Sequence, residues 1–281
     1  MNHVFPVVEF YITNVCNLTC RGCNRFNDLN FKGHYRWSDH AELYESWSRR
    51  INIDKISIIG GEPTLNPDLE LWVSNLRRLW PKSDIMIQTN GTYFRSYFTN
   101  FWKKYKTTFV ISLHDINTAE EIIQNWKTQF EPHQAVSFLK GFIFHQSSLV
   151  KENNHFTLNH NDPEEAFRCC DMKYDHTMVN GKLYKCPTTA ILPEFDNQFH
   201  LQLDIKQKEL LYSYVPLLPD CSEQDLLDFF QQREKSIKQC ELCFVKPIWD
   251  HAIGPSNPNA VKPEFDYMTL DKIPHYKKLL T

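Results

Sequence analysis

The sequence predicts an α/β protein. A run of parallel βα units should occupy residues 1–150, followed by a smaller cysteine-rich region at 151–254 and a tail at 255–281. Up to about residue 145, short β-branched and aromatic runs alternate with amphipathic helical stripes at the spacing of βα units. Beyond that point the alternation stops and six of the nine cysteines follow. A chain of 281 residues that is 42% hydrophobic has ample material for a buried core.

Residues 6–13 read as the first strand, stopped by Asn14. Asp39 with Glu42 can cap a helix whose Leu43, Trp47 and Ile51 share one stripe. Residues 53–59 form a second strand broken by Gly60-Gly61. From Asp68 the positions Leu69, Trp72, Val73, Leu76, Leu79 and Trp80 trace a helix that Pro81 ends. Residues 84–89 are the third strand, ending in Asn90-Gly91, and 108–113 the fourth. Thr118 with Glu121 can cap a helix carrying Ile122, Ile123, Trp126 and Phe130. Residues 136–144 complete the series, interrupted at Lys140-Gly141. The later region opens with a polar, irregular stretch at 151–161. A hairpin follows at 178–185 around Asn180-Gly181, then a helix started by Ser222 and Asp225 with Leu226, Leu227, Phe229, Phe230 and Ile237 inside. From Gly254 onward four prolines suggest an extended tail. In parallel βα architectures the chemistry lies at the C-terminal strand ends, where Cys16, Gly60, Asn90 and His114 fall.

Composition narrows the function classes. A net charge of −3 and a pI near 6.5 supply no basic field, so charge does not indicate nucleic acid. No basic segment leads an apolar stretch at the N-terminus, and no run reaches the ~18 apolar residues of a membrane span. A soluble, cytoplasmic protein is expected, with no membrane partner. The cysteines cluster as CX3CX2C, Cys169-Cys170 and CX2C, the spacing of ligands in a reducing compartment.

Cys16, Cys20 and Cys23 lie in one loop and can converge on one inorganic centre. A structural zinc site usually takes four protein ligands. Three thiolates on a four-iron, four-sulfur cube leave one iron without a protein ligand, a position where a small molecule binds. With Gly60-Gly61-Glu62-Pro63 following a strand about forty residues later, these residues resemble the radical S-adenosylmethionine (SAM) superfamily. The resemblance implies a partial (β/α)6 TIM-like barrel, a SAM-binding [4Fe-4S] cluster on Cys16, Cys20 and Cys23, and contact between residues 60–63 and the methionine amino group. Asn90 and Ser112, in segments resembling the family's third and fourth strand ends, would help to hold the methionine carboxylate and ribose. His114 is the candidate substrate-facing acid or base, beside the plainer role of a hydrogen-bonded structural histidine. Where the family usually carries an aromatic residue before the third cysteine, this chain has Gly22.

Cys170, followed after ten residues by Gly181 and after four more by Cys186, and then Cys240-X2-Cys243, resemble the twitch auxiliary-cluster module, shorter than a SPASM domain. That implies a second, fully ligated [4Fe-4S] cluster. A four-cysteine zinc ribbon is the alternative. Cys169 competes with Cys170 for the first position, and Cys221 is left over as an ordinary thiol. Trp249-Asp250-His251 fits either a cavity cover or packing. The implied chemistry is reductive cleavage of SAM to a 5′-deoxyadenosyl radical, hydrogen abstraction, and dehydrogenase-like oxidation through the auxiliary cluster. Redox-neutral or cross-linking modification of a peptide, and a non-catalytic metal-stapled binding protein, are the alternatives. The implied partners are a small-molecule or peptide substrate and a low-potential electron donor such as flavodoxin or ferredoxin.

Overall fold

Strand β1 (His3–Tyr11) runs parallel to β2 (Ile51–Ile59), with Phe5 opposite Ile53 and Glu9 opposite Ser57. The computed structural model describes residues 3–130, 135–145, 147–152, 155–246, 249–256, 260 and 267–269. Parallel pairing continues through β3 (Asp84–Thr89), β4 (Thr107–Leu113) and β5 (Val136–Lys140). Helices α1 (Ala41–Ser48), α2 (Leu69–Leu79), α3 (Thr99–Tyr105) and α4 (Ala119–Gln129) make the crossovers. The α3 helix has no counterpart in the sequence expectations: it spans seven residues and buries Phe101 alone, too short to leave a periodic stripe.

Two expected caps do not form. A 3-10 turn at Trp37–His40 precedes α1, and Asp39 accepts a bond from the Ser38 hydroxyl at 3.2 Å within it. The Thr118 hydroxyl instead donates to the Asp115 carbonyl at 3.4 Å. Both side chains are engaged by nearer partners, which is how short polar residues compete with helix capping.

The last strand of the series splits at Gly141. Its first half is β5, and its second half, β6 (Ile143–His145), leaves the main sheet to pair with β11 (Trp249–His251). Residues expected to be irregular contain a short hairpin, β7 (Val150–Glu152) and β8 (His155–Thr157). Beyond it lie α5 (Pro163–Cys169), β9 (His176–Val179), β10 (Lys182–Tyr184), α6 (Pro187–Phe199), α7 (Ile205–Tyr212) and α8 (Glu223–Gln231). The Asn180-Gly181 turn forms with both residues at positive φ, and the Ser222–Asp225 capping box of α8 is made at 3.0 Å in each direction. The α8 helix stops at Gln231, short of Ile237.

The hairpin is not set apart from the first region. Strand β9 pairs parallel to β1, Val8 opposite His176, so the sheet order is β10-β9-β1-β2-β3-β4-β5-β12, where β12 (Tyr267–Thr269) pairs antiparallel with β5. Six strands are parallel, but the sixth in chain order lies beside β1 and not beside β5. Most of the expected extended tail lies outside the described residues.

One core fills the space between the sheet's outer face and helices α1–α4, with Phe10, Trp47, Ile58, Trp72, Phe98, Phe109 and Trp126 buried in it. A second core joins Phe26 and Phe31 of the cysteine-loop region to Ile191, Leu192 and Phe195 of α6. Trp126 is fully buried among Phe94, Phe109 and Phe130, and its indole N–H donates to the Gly91 carbonyl at 2.9 Å. Trp126→Ala is therefore expected to lower the unfolding free energy by about 3–5 kcal/mol in urea titration.

Candidate active site

The cysteine loop starts where β1 ends and is fixed by backbone bonds on two sides. Asn14 N–H donates to the Gly33 carbonyl at 2.8 Å, while Gly61 and Glu62 N–H donate to the Thr13 and Val15 carbonyls, each at 2.7 Å. A side chain at Gly60 would put its Cβ 2.5 Å from the Thr13 carbonyl oxygen, and one at Gly61 would strike the Val15 carbonyl. The two glycines are therefore required by the approach of β2 to the loop. Gly22, with φ at 72°, sits where a side chain is disfavoured, a local reason for the missing aromatic.

Cys16, Cys20 and Cys23 all line a chamber of about 400 Å³ on the inner side of the sheet. Burial pushes the Cys16 thiol up to about 12 and raises those of Cys20 and Cys23 as well. They are neutral until a metal displaces their protons. Asn90 reaches the loop from the end of β3: its amide donates to Asn17 Oδ1 at 2.8 Å and approaches Cys16 Sγ at 3.9 Å. Gly60, Gly61, Asn90, Ser112 and His114 all share the chamber wall with the thiols.

Glu62 and Pro63 are placed differently. Both are buried behind the wall. The Glu62 carboxylate accepts from Thr64 N at 3.0 Å, Thr64 Oγ1 at 2.5 Å, Thr89 Oγ1 at 2.6 Å and Asn90 N at 2.7 Å, binding the end of β2 to the end of β3. Burial raises its carboxyl above the usual range, and the hydrogen bonds oppose that rise. Glu62 is thus a structural brace at the strand ends.

His114 contacts the Gly141 carbonyl through Nδ1 at 3.1 Å and packs edge-on against Phe144 at 4.8 Å. Burial holds the imidazole down at about 4. It is neutral at neutral pH, so it offers an acceptor and not an acidic proton.

Several wall residues carry no sequence motif. Glu9 and Arg25 form a buried pair, with one guanidinium nitrogen 3.0 and 2.8 Å from the two carboxylate oxygens. Ser57, Gln88, His145, Asp171, Met172, Asp175 and Trp249 complete much of the rest. Gln88 donates to the Ser57 hydroxyl at 2.8 Å. Polar residues at strand positions facing inward were the available signal. Trp249 lines the chamber and packs its ring 4.1 Å from that of His145.

A second, narrower cavity of about 30 Å³ gathers Cys170, Cys186, Cys240 and Cys243. Cys170 is the C-cap of α5, Cys186 is the N-cap of α6, and the CX2C pair lies on a 3-10 turn at Lys238–Leu242 and its cap. Cys170, not Cys169, lines this cavity. Burial pushes Cys170 up to about 12 and Cys240 to about 11. Buried Lys185 stands on the same wall, its ammonium donating to the Gln232 and Arg233 carbonyls at 2.5 and 2.9 Å. Met172 lines both cavities. Cys221 lies apart, accepting from Arg50 at 3.4 Å. Three thiols thus line the larger chamber and four the smaller cavity beside Lys185, although among the described residues neither set is drawn together as a formed metal site.

Residues 10–132 match the model of the Radical SAM superfamily. An S-adenosylmethionine-dependent nucleotide dehydratase from Flammeovirga pacifica is 30% identical over 128 residues, covering 42% of this chain and 41% of that protein. A GTP 3′,8-cyclase from Nautilia profundicola is 32% identical over 92 residues, covering 32% and 29%. The chain therefore spans less than half the length of these relatives. A crystal structure of BtrN in complex with AdoMet and 2-DOIA is similar with a TM-score of 0.49 and 16% identity, over 86% of this chain and 94% of that one.

His114 yields a pH prediction. Its folded value, about 4, lies below the ordinary 6.5 of imidazole, so the stability it contributes is complete above 6.5 and is lost as pH falls toward 4. His114→Asn should flatten the acid limb of the unfolding free energy between those values, measured by urea titration at each pH. An unchanged slope would show that the imidazole titrates normally.

Proposed function

We propose that this chain is a radical SAM enzyme that abstracts hydrogen from a C–H bond of a small molecule and passes the remaining electron to a second iron–sulfur cluster, a net oxidation. The observation that supports this most strongly is the placement of two thiol groups on two adjoining cavities. Cys16, Cys20 and Cys23 line the chamber, the four later thiols line the adjoining cavity, and Met172 is a wall of each. When bound, the first cluster and SAM supply a radical able to take hydrogen from carbon, which no side-chain acid or base takes at neutral pH.

The chain's own residues position and insulate. Cys16, Cys20 and Cys23 would hold the first cluster, and the amide of Asn90 orients Cys16 from across the chamber. Gly60 and Gly61 bring the backbone of β2 to the loop with no side chain intervening, leaving room for the methionine end of SAM. Phe144 and Trp249 give the chamber apolar walls that exclude water and unwanted hydrogen donors. Cys170, Cys186, Cys240 and Cys243 would hold the second cluster. The N-terminus of α6 at Cys186 and the Lys185 ammonium both favour negative charge there. A low-potential donor such as flavodoxin or ferredoxin must supply the first electron.

Iron and acid-labile sulfide analysis of anaerobically reconstituted protein should give about eight of each per chain; zinc at the late cysteines would remove the oxidative step. Cys20→Ala should abolish 5′-deoxyadenosine formation from SAM and dithionite, and undiminished cleavage would refute the ligand assignment. Cys243→Ala should keep SAM cleavage measurable while product formation stops, and unimpaired product formation would make the late cysteines incidental.

A further inference from the structure

We propose that the chamber is entered from an open depression on the other side of the cysteine loop, and that Arg21 is the latch that holds this entrance shut. The inference concerns access alone and is independent of which metal or substrate the chamber takes.

The wall between the two spaces is thin. The depression, of about 600 Å³, is lined by Leu18 and Arg21 of the cysteine loop, by Asp115 and by residues 252–254. Leu18 lines the chamber as well. At two further places consecutive residues line opposite spaces: Cys20 the chamber and Arg21 the depression, His114 the chamber and Asp115 the depression. One layer of chain therefore separates them.

Part of that layer is a strap, residues 249–254, that belongs to no packed helix or main-sheet strand. Its first half, β11, pairs with β6, which has itself left the main sheet. A two-stranded ribbon of three residue pairs has little stability of its own in water. Ala252 N–H adds a bond to the Phe142 carbonyl at 2.8 Å. Trp249, Asp250 and His251 are half-buried, and the fully buried Ala252 has only a methyl to bury. At the far end Gly254 has φ at 95°, and no atom lies within 4 Å of where its Cβ would stand. Glycine there gives the strap a point at which it can turn.

On the cysteine-loop side the strap is held by Arg21. The Arg21 backbone N–H donates to the Ala252 carbonyl at 2.8 Å, and its guanidinium donates to the His251 and Gly254 carbonyls at 2.8 and 3.0 Å. The same guanidinium stands 3.6 Å from the Asp250 carboxylate. A planar fork can meet several acceptors at once, which fits it to clasp a stretch of backbone. Its side chain is nevertheless 44% exposed, so water can take over these bonds as the strap lifts. Opening then exchanges hydrogen bonds with water, a small net cost for each bond, and uncovers Leu18 between the two spaces.

Hydrogen exchange read by mass spectrometry on the full chain tests the latch. In Arg21→Ala the amides of residues 249–252 should exchange about tenfold faster than in wild type, while those of β2 and β3 keep their rates. Iodoacetamide labelling of the reduced, metal-free full chain tests the entrance, with circular dichroism confirming both folds. Labelling of Cys16 and Cys20 should rise about fivefold or more in the variant, while Cys170 and Cys186 of the second cavity stay unchanged. Removing a cation disfavours the thiolate, so a faster reaction at Cys16 and Cys20 reports access and not reactivity. Unchanged exchange in the strap would overturn the latch. Faster exchange there with unchanged labelling would overturn the entrance, and an equal rise at all four cysteines would replace both with general loosening. The wild-type protein alone supplies a further arm: strap amides should exchange at least about tenfold faster than those of the ladder between β1 and β2, and equal protection would overturn the proposal even if the variant did not fold.

Discussion

The site depends on direct backbone contact between the cysteine loop and the end of β2. Two bonds of 2.7 Å from Gly61 and Glu62 reach into the loop, and any Cβ at Gly60 or Gly61 would push the strands apart. The contact is secured from behind by Glu62, a buried carboxylate with four neutral donors around it. Burying an ion is costly, and a full set of short hydrogen bonds offsets that cost only while each donor holds its place. Thr89 and Asn90 are among those donors, so the same carboxylate that secures β2 also places the amide that approaches Cys16.

The second thiol group is tied to the first by α6. Its N-cap is Cys186, and just over two turns along the helix Glu194 accepts a bond from Asn14 at 3.0 Å and another from Tyr35. Asn14 opens the cysteine loop. Farther along, Phe195 packs on Phe26 and Phe31, with ring centroids 4.6 and 5.5 Å apart. One rigid helix thus touches both thiol sites, which gives a physical reason for their fixed relation across the chamber. The pairing of β9 with β1 adds a second tie through the sheet.

The cysteine motif, the Gly60-Gly61 break and the strands that carry them were legible in the sequence because each rests on local chemistry: ligand spacing, backbone freedom, and alternation of apolar residues. The α2 stripe ending at Trp80 is of the same kind. Long-range partners were not legible. That Glu62 ties the end of β2 to the end of β3, and that Glu9 meets Arg25 and Thr177, depend on packing between segments up to 168 residues apart. Short helices such as α3 left too little periodicity to see. The sequence by itself determined that the cysteines fall into two spaced sets; only the tertiary structure decided that one set lines the larger chamber and the other a smaller cavity sharing Met172 with it, because strand pairing and helix packing set those positions, and neither is written in any single stretch of chain.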